Sequence, residues 1–207
     1  MFPFLHITTT EHMMQYCNTL FFTATFFEAR PLLDAEIFQK IHRNHFFAPT
    51  LNSYLVITGI GPKSTVKALK SVLPTPRKIV NLGFCAGIKG VGLGQIISPD
   101  LIAPWPLPEN LNARPHSLLL SLEHPMENPT AFLDTTTLAA SSPIITADME
   151  AYTLYQYALD LGLHLECWKV VSDFGASSFK SSFSLHQTFL LSQLAHVASQ
   201  QHFLVAN

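Results

Sequence analysis

The chain has 207 residues, with 12 Lys+Arg against 14 Asp+Glu, a net charge of −2, 13% charged residues and 48% hydrophobic ones. A charged share well below the roughly 25% usual for soluble domains, joined to so much apolar surface, excludes a disordered tail. The missing positive excess argues against a nucleic-acid binder. One domain spanning residues 1–207 is the expectation at this length.

In chain order, Phe4–Thr9 reads as a first strand that ends just before Glu11. Around Phe21–Phe27, strand and helix readings compete. Ile37, Phe38 and Ile41 fall at helical spacing and predict a helix over Asp34–Arg43. Tyr54–Thr58 is a buried-type strand stopped by Gly59-Ile60-Gly61-Pro62. A helix over Lys63–Val72 follows, with Pro74 and Pro76 beyond its end. Lys78–Leu82 reads as a strand opening into a glycine-rich loop, since five of the nine glycines lie between Gly83 and Gly94. Gln95–Ile102 resumes as a strand. Residues 99–143 hold eight of the fourteen prolines, which disfavours long helices there. Asp148–Leu161 is a helix stopped by Gly162, and His164–Ser172 is a strand delivering Asp173. Apolar strands alternating with helices predict an α/β fold with a sheet covered on both faces.

Ser181–Asn207 is the longest stretch without Asp, Glu, Lys or Arg. It carries three His and four Gln, costly in hydrocarbon, and its Leu185, Phe189, Leu190, Leu194 and Val197 fit an amphipathic closing helix. With no positively charged leader at the N-terminus, no membrane partner and a cytoplasmic location are expected. Cys17, Cys85 and Cys167 are too few and too scattered for a disulfide framework. The ten histidines show no metal motif.

Charge is segregated along the chain. Residues 37–99 carry eight Lys/Arg and no acid, and residues 100–173 carry ten acids and two Lys/Arg. A solvated helix face, with Lys63, Lys67 and Lys70 at i, i+4 and i+7, accounts for much of this. Gly59 to Thr65 is not a Walker loop, because no Gly-Lys pair is adjacent and Pro62 lacks an N–H. The run from Gly83 to Gly94 likewise departs from G-x-G-x-x-G.

Three acids stand next to strand ends or helix starts, where open α/β sheets place their ligands. These are Glu11 after the first strand, Glu150 at a helix start and Asp173 at the end of a strand. Each taken alone also suits a helix dipole or a turn cap.

Taken together, Asp148-Met149-Glu150-Ala151 and, some twenty residues on, Val170-Val171-Ser172-Asp173 resemble the purine nucleoside phosphorylase/nucleosidase superfamily. The nearest branch is the methylthioadenosine/S-adenosylhomocysteine nucleosidases, which takes in futalosine-type hydrolases of menaquinone biosynthesis. Thr58-Gly59-Ile60-Gly61, Asn81 to Gly87 and Gly94 to Ile97 match in the same order. The resemblance implies a nucleoside phosphorylase-like fold, a single-domain three-layer α/β/α arrangement with a mixed central sheet. It also implies a homodimer, no metal or organic cofactor, and a small purine nucleoside as substrate. Its chemistry needs an acid for the leaving purine, a carboxylate on the ribose hydroxyls and a base for water. The resemblance assigns these roles to Asp173 (held by Ser172), to Glu150 with Met149 against the ribose, and to Glu11. Phe84 and Cys85 of the glycine loop would line the substrate. Phe84 stands where the family usually has a small hydroxyl, and Lys169 where an arginine is common. A phosphate-dependent phosphorylase and a non-catalytic nucleoside-binding protein are the alternatives. Arg30 and Arg43 are the cations that would favour phosphate.

Overall fold

The structure is a computed structural model describing residues 16–35, 37–71, 74–108, 115–125 and 142–200. The proposed strand Phe4–Thr9, Glu11 and, within the proline-rich segment, residues 109–114 and 126–141 lie outside the described residues.

The described elements build one ten-stranded mixed sheet. Strand β1 (Tyr16–Thr23) lies between β4 (Ser53–Ile57) and β5 (Thr75–Lys89), parallel to both. Beyond β4 come β3 (His45–Ala48) and the edge strand β2 (Gln39–His42), both antiparallel. Strand β10 (Leu165–Asp173) is parallel to β5 and takes the short β6 (Ile96–Ile97) antiparallel on its other side. The far end of β5 turns onto β9 (Ile144–Asp148) antiparallel, and β8 (Ser117–Ser121) and β7 (Leu101–Pro104) continue in parallel.

Apolar side chains alternate along these strands and feed two cores on the central strands, with a third cluster of Ala103, Leu118, Leu120, Leu122, Ile145 and Ala147 at β7, β8 and β9. One face packs Phe21, Val80, Leu82 and Val170 against Ala29 and Leu32 of helix α1 (Phe26–Leu33) and Leu190, Leu194 and Val197 of helix α4 (Ala176–Gln200). The other packs Leu20, Ile79, Cys167 and Val171 against Ala151, Leu154 and Ala158 of helix α3 (Ala151–Asp160), with Ala68 and Leu69 of helix α2 (Pro62–Leu69) alongside. This is the expected three-layer α/β/α arrangement with a mixed sheet. No described helix is long and apolar enough to cross a membrane.

Several local expectations are corrected. The helix foreseen over Asp34–Arg43 is instead the edge strand β2, whose Gln39 and Lys40 pair with Phe47 and Phe46. Ile37, Phe38 and Ile41 do not share a buried face: Phe38 enters the core and Ile41 is 52% exposed. Cross-strand pairing overrides the apparent period there. The competing readings at Phe21–Phe27 resolve into the end of β1 and the start of α1. β5 does not stop at Leu82 but runs to Lys89, because Gly83 and Gly87 are strand residues at close approaches rather than turn residues. The Gln95–Ile102 strand is two separate strands, β6 and β7. Helix α3 begins at Ala151, leaving Asp148 as the last residue of β9.

Candidate active site

The connections leaving the carboxyl ends of β1, β4 and β9, the last residue of β10 and the Phe84 N–H within β5 supply the polar groups of the candidate site. After β1, Thr25 caps helix α1 in a capping box: its hydroxyl accepts the Glu28 N–H, and the Glu28 carboxylate accepts the Thr25 N–H at 2.8 Å. The other oxygen of Glu28 accepts the Phe84 N–H of β5, also at 2.8 Å. Glu28 is therefore 5% exposed and pinned between α1 and β5. Gly83 makes the approach possible, because a Cβ there would sit 2.6 Å from Glu28 Oε1 and 3.5 Å from Lys169 Nζ.

Lys169, in register with Gly83 across the β5–β10 ladder, enters the same space and is fully buried. Its ammonium lies 2.8 Å from Asp148 Oδ2. Glu150 stands at the N-cap of α3, yet its side chain makes no cap bond; Oε1 instead accepts the Gly61 N–H at 2.7 Å. Asp173 ends β10 and accepts from the Ser172 hydroxyl (2.7 Å) and the Gly175 N–H (2.8 Å).

These environments set the protonation states. Burial raises Glu28; the Lys169 charge and the Phe84 and Thr25 donors act against that rise. Glu150 is raised to about 7, by burial first and by Asp148 next, with Lys169 opposing. Asp173 is also raised by burial, with the Ser172 hydroxyl and the Gly175 N–H acting against that rise. Lys169 loses by desolvation and gains more from Asp148, Cys167, Glu150 and Glu28, so its ammonium is held protonated well above the usual range.

Of the residues expected from sequence, Glu150, Ser172 and Asp173 take the positions foreseen at the start of α3 and the end of β10. Met149 is half-buried beside the Gly61–Glu150 bond, its methyl 3.5 Å from where a Gly61 Cβ would stand. Phe84 serves through its backbone N–H. Its ring turns into the apolar layer with Phe27 and Phe183, at centroid distances of 6.1 and 5.4 Å. Cys85 offers a carbonyl to the Ser172 hydroxyl at 3.3 Å, while its buried thiol is pushed far up, first by desolvation. Of the two phosphate candidates, Arg30 is exposed and paired with Asp34, and Arg43 lies exposed in the β2–β3 turn.

Sequence reasoning missed Glu28, Asp148 and Lys169 as site residues. Thr25-x-x-Glu28 is a capping-box pattern before an apolar run, and that signal locates a helix start carrying a carboxylate. A lysine inside the apolar strand Leu165–Val171 must be paired, which points to a buried acid.

No protein-family model matches the chain, and no curated protein matches it in sequence. Solved structures do match in shape. The nucleosidase MTAN of Chlamydia trachomatis bound to MTA aligns with a TM-score of 0.66 at 19% identity, over 87% of this chain and 94% of that one. The 5′-methylthioadenosine/S-adenosylhomocysteine nucleosidase of Neisseria meningitidis, in complex with methylthio-immucillin-A, gives 0.68 at 14% identity over 86% and 95%. A putative nucleosidase of the same kind from Borrelia burgdorferi, bound to adenine, gives 0.70 at 13% identity over 90% and 100%. The chain thus has the fold of the methylthioadenosine/S-adenosylhomocysteine nucleosidases, as its motifs implied.

Proposed function

We propose that the protein hydrolyses the N-glycosidic bond of a purine nucleoside and releases the free base. The observation that carries this reading is the placing of three nearly buried acids, Glu28, Glu150 and Asp173, past or at the carboxyl ends of β1, β9 and β10, with Glu28 and Glu150 both facing the Lys169 charge. Cleavage builds positive charge on the ribose and negative charge on the purine. Asp173, raised by burial, keeps a proton for the purine, and Ser172 holds its carboxyl in place. Glu150 accepts the ribose 2′- and 3′-hydroxyls, and Met149 packs against the sugar.

The water-activating role, which the resemblance gives to Glu11, we assign to Glu28. Glu28 is the acid that follows the central strand β1, and it shares its space with Lys169, whose charge favours the ionised form a base needs. Hydrolysis is favoured over phosphorolysis because Arg30 and Arg43 are both solvent-exposed, Arg30 paired with Asp34, and Lys169, the buried cation among the described residues, is already bound to Asp148. The Phe84 ring leaves the site and its N–H stays, so this departure from the family pattern preserves a backbone contact. A homodimer in the cytoplasm completes the reading, on the resemblance alone.

Methylthioadenosine, S-adenosylhomocysteine and aminofutalosine, each incubated with the protein in the absence of phosphate, test the substrate class by adenine release. Release from at least one is expected. Tight binding of all three without release would leave only a nucleoside-binding protein.

A further inference from the structure

An aspartate, a serine and a lysine outside the three proposed reacting carboxylates form a connected unit beneath them. Asp148 ends β9 directly opposite Ser121 at the end of β8. The Ser121 hydroxyl donates to Asp148 Oδ1 at 2.5 Å, and Ser121 Oγ in turn accepts the Tyr152 N–H at 2.8 Å. Asp148 Oδ2 accepts the Ala151 N–H at 3.0 Å and the Lys169 ammonium at 2.8 Å.

Helix α3 begins here, and its first N–H groups need acceptors. An N-cap residue ordinarily supplies one with its own side chain. Glu150 occupies that position and supplies none, because Asp148 and Ser121 have taken the Ala151 and Tyr152 donors. The Glu150 carboxylate is thereby released to accept the Gly61 N–H. The same aspartate fixes the ammonium that Glu28 and Glu150 both feel.

We propose that Asp148, braced by Ser121 and ion-paired to Lys169, is a positioning residue that frees Glu150 from helix capping and tunes the two carboxylates facing the substrate. The inference rests on the nucleosidase reading for its kinetic part only. The charged and titratable groups around Lys169 are Glu28 from α1, Asp148 and Glu150 flanking the start of α3, and Cys167 from β10. Cys85 of β5 feels Lys169, Asp148, Cys167 and Asp173 in turn. Removing Asp148's charge lowers Glu150, because Asp148 is a cause of its rise, and it leaves Lys169 undivided for Glu28 and Glu150. Removing Lys169 raises both. The two variants must therefore move the acid limb of the pH–rate profile in opposite directions.

The experiment follows kcat/KM against pH for Asp148→Asn, Lys169→Met, Lys169→Arg and Ser121→Ala. It is joined to a carbon-13 titration of the glutamate carboxyls in each ligand-free protein. Expected are an acid limb displaced to lower pH in Asp148→Asn and to higher pH in Lys169→Met, with the wild-type limb restored in Lys169→Arg. Ser121→Ala is expected to raise KM about tenfold, as befits a lost hydrogen bond to a charged group, with a smaller change in kcat. Opposite displacements of the glutamate titrations support the proposal even if no nucleoside is cleaved, an outcome that would count against the nucleosidase reading alone. Unshifted titrations and limbs in both charge variants, with thermal stability lowered, would overturn the proposal and leave Asp148–Lys169 a merely structural pair. Where Lys169→Met does not fold, the direction in Asp148→Asn decides: a shift to lower pH supports the proposal, and no shift or a shift upward overturns it.

Discussion

Glu28→Gln is expected to lower turnover by roughly 10²–10⁴-fold, the usual worth of a positioned general base, while the protein stays folded. The amide keeps the length and shape of the side chain and removes the charge that would accept the water proton. It also carries a cost that separates it from an inert substitution. Both Glu28 oxygens accept backbone N–H groups, from Thr25 and from Phe84. A glutamine offers one oxygen and one NH2 group, so one of those donors loses its acceptor, at about 1–3 kcal/mol. Thermal unfolding should show that loss alongside the kinetic one, and nucleoside binding should persist, because Glu150 and Asp173 are untouched. Glu11→Gln in the same assay separates the two candidates for the base: near-normal turnover in Glu28→Gln together with a collapse in Glu11→Gln would return the role to Glu11.

Asp173→Asn is expected to abolish measurable release of purine with little effect on the fold. An asparagine still accepts from Ser172 or Gly175 through its oxygen, but it has no acidic proton to give to the leaving base. Its pH dependence supplies the sign. Burial raises Asp173, so the protonated form persists to higher pH than for an exposed aspartate, and wild-type turnover should fall as pH rises through that raised value. Glu28 must be ionised for its role, which gives the opposite, rising limb at low pH. A variant retaining near-normal turnover would remove Asp173 from the role of acid.

The chain order of apolar runs made the α/β class legible, and the five motif matches made the fold legible. Elements flanked by strong local signals were placed well. Helix α2 has Pro62 at its start, β10 carries the apolar residues Cys167, Trp168, Val170 and Val171, and α3 is stopped by Gly162 in the left-handed region at φ 69°. The signals failed where partners far along the chain decide the outcome. β2 is a strand because β3 pairs with it, and β5 continues through its glycines because β9 and β10 flank it. At the site, Glu150 and Asp173 were legible because they sit inside motifs. Glu28 was not, because its importance arises from a contact to Phe84, 56 residues away. The apolar run Phe4–Ile7 reads as a first strand and makes Glu11 the acid that follows it. A central strand ending at Thr23 places another acid, Glu28, at the equivalent station of its own connection. Asp148 was read as part of a helix, so its pairing with Lys169 across the sheet could not be anticipated.

The central claim is that water, activated at this buried carboxylate cluster, displaces a purine from a nucleoside. Its most direct measurement is a single incubation of the wild-type protein with methylthioadenosine in phosphate-free water enriched in heavy oxygen, analysed by mass spectrometry. The account predicts adenine and a methylthioribose carrying one heavy oxygen at its anomeric carbon, in equal amounts. Adenine that forms only when phosphate is supplied, together with a sugar phosphate free of the label, would contradict it.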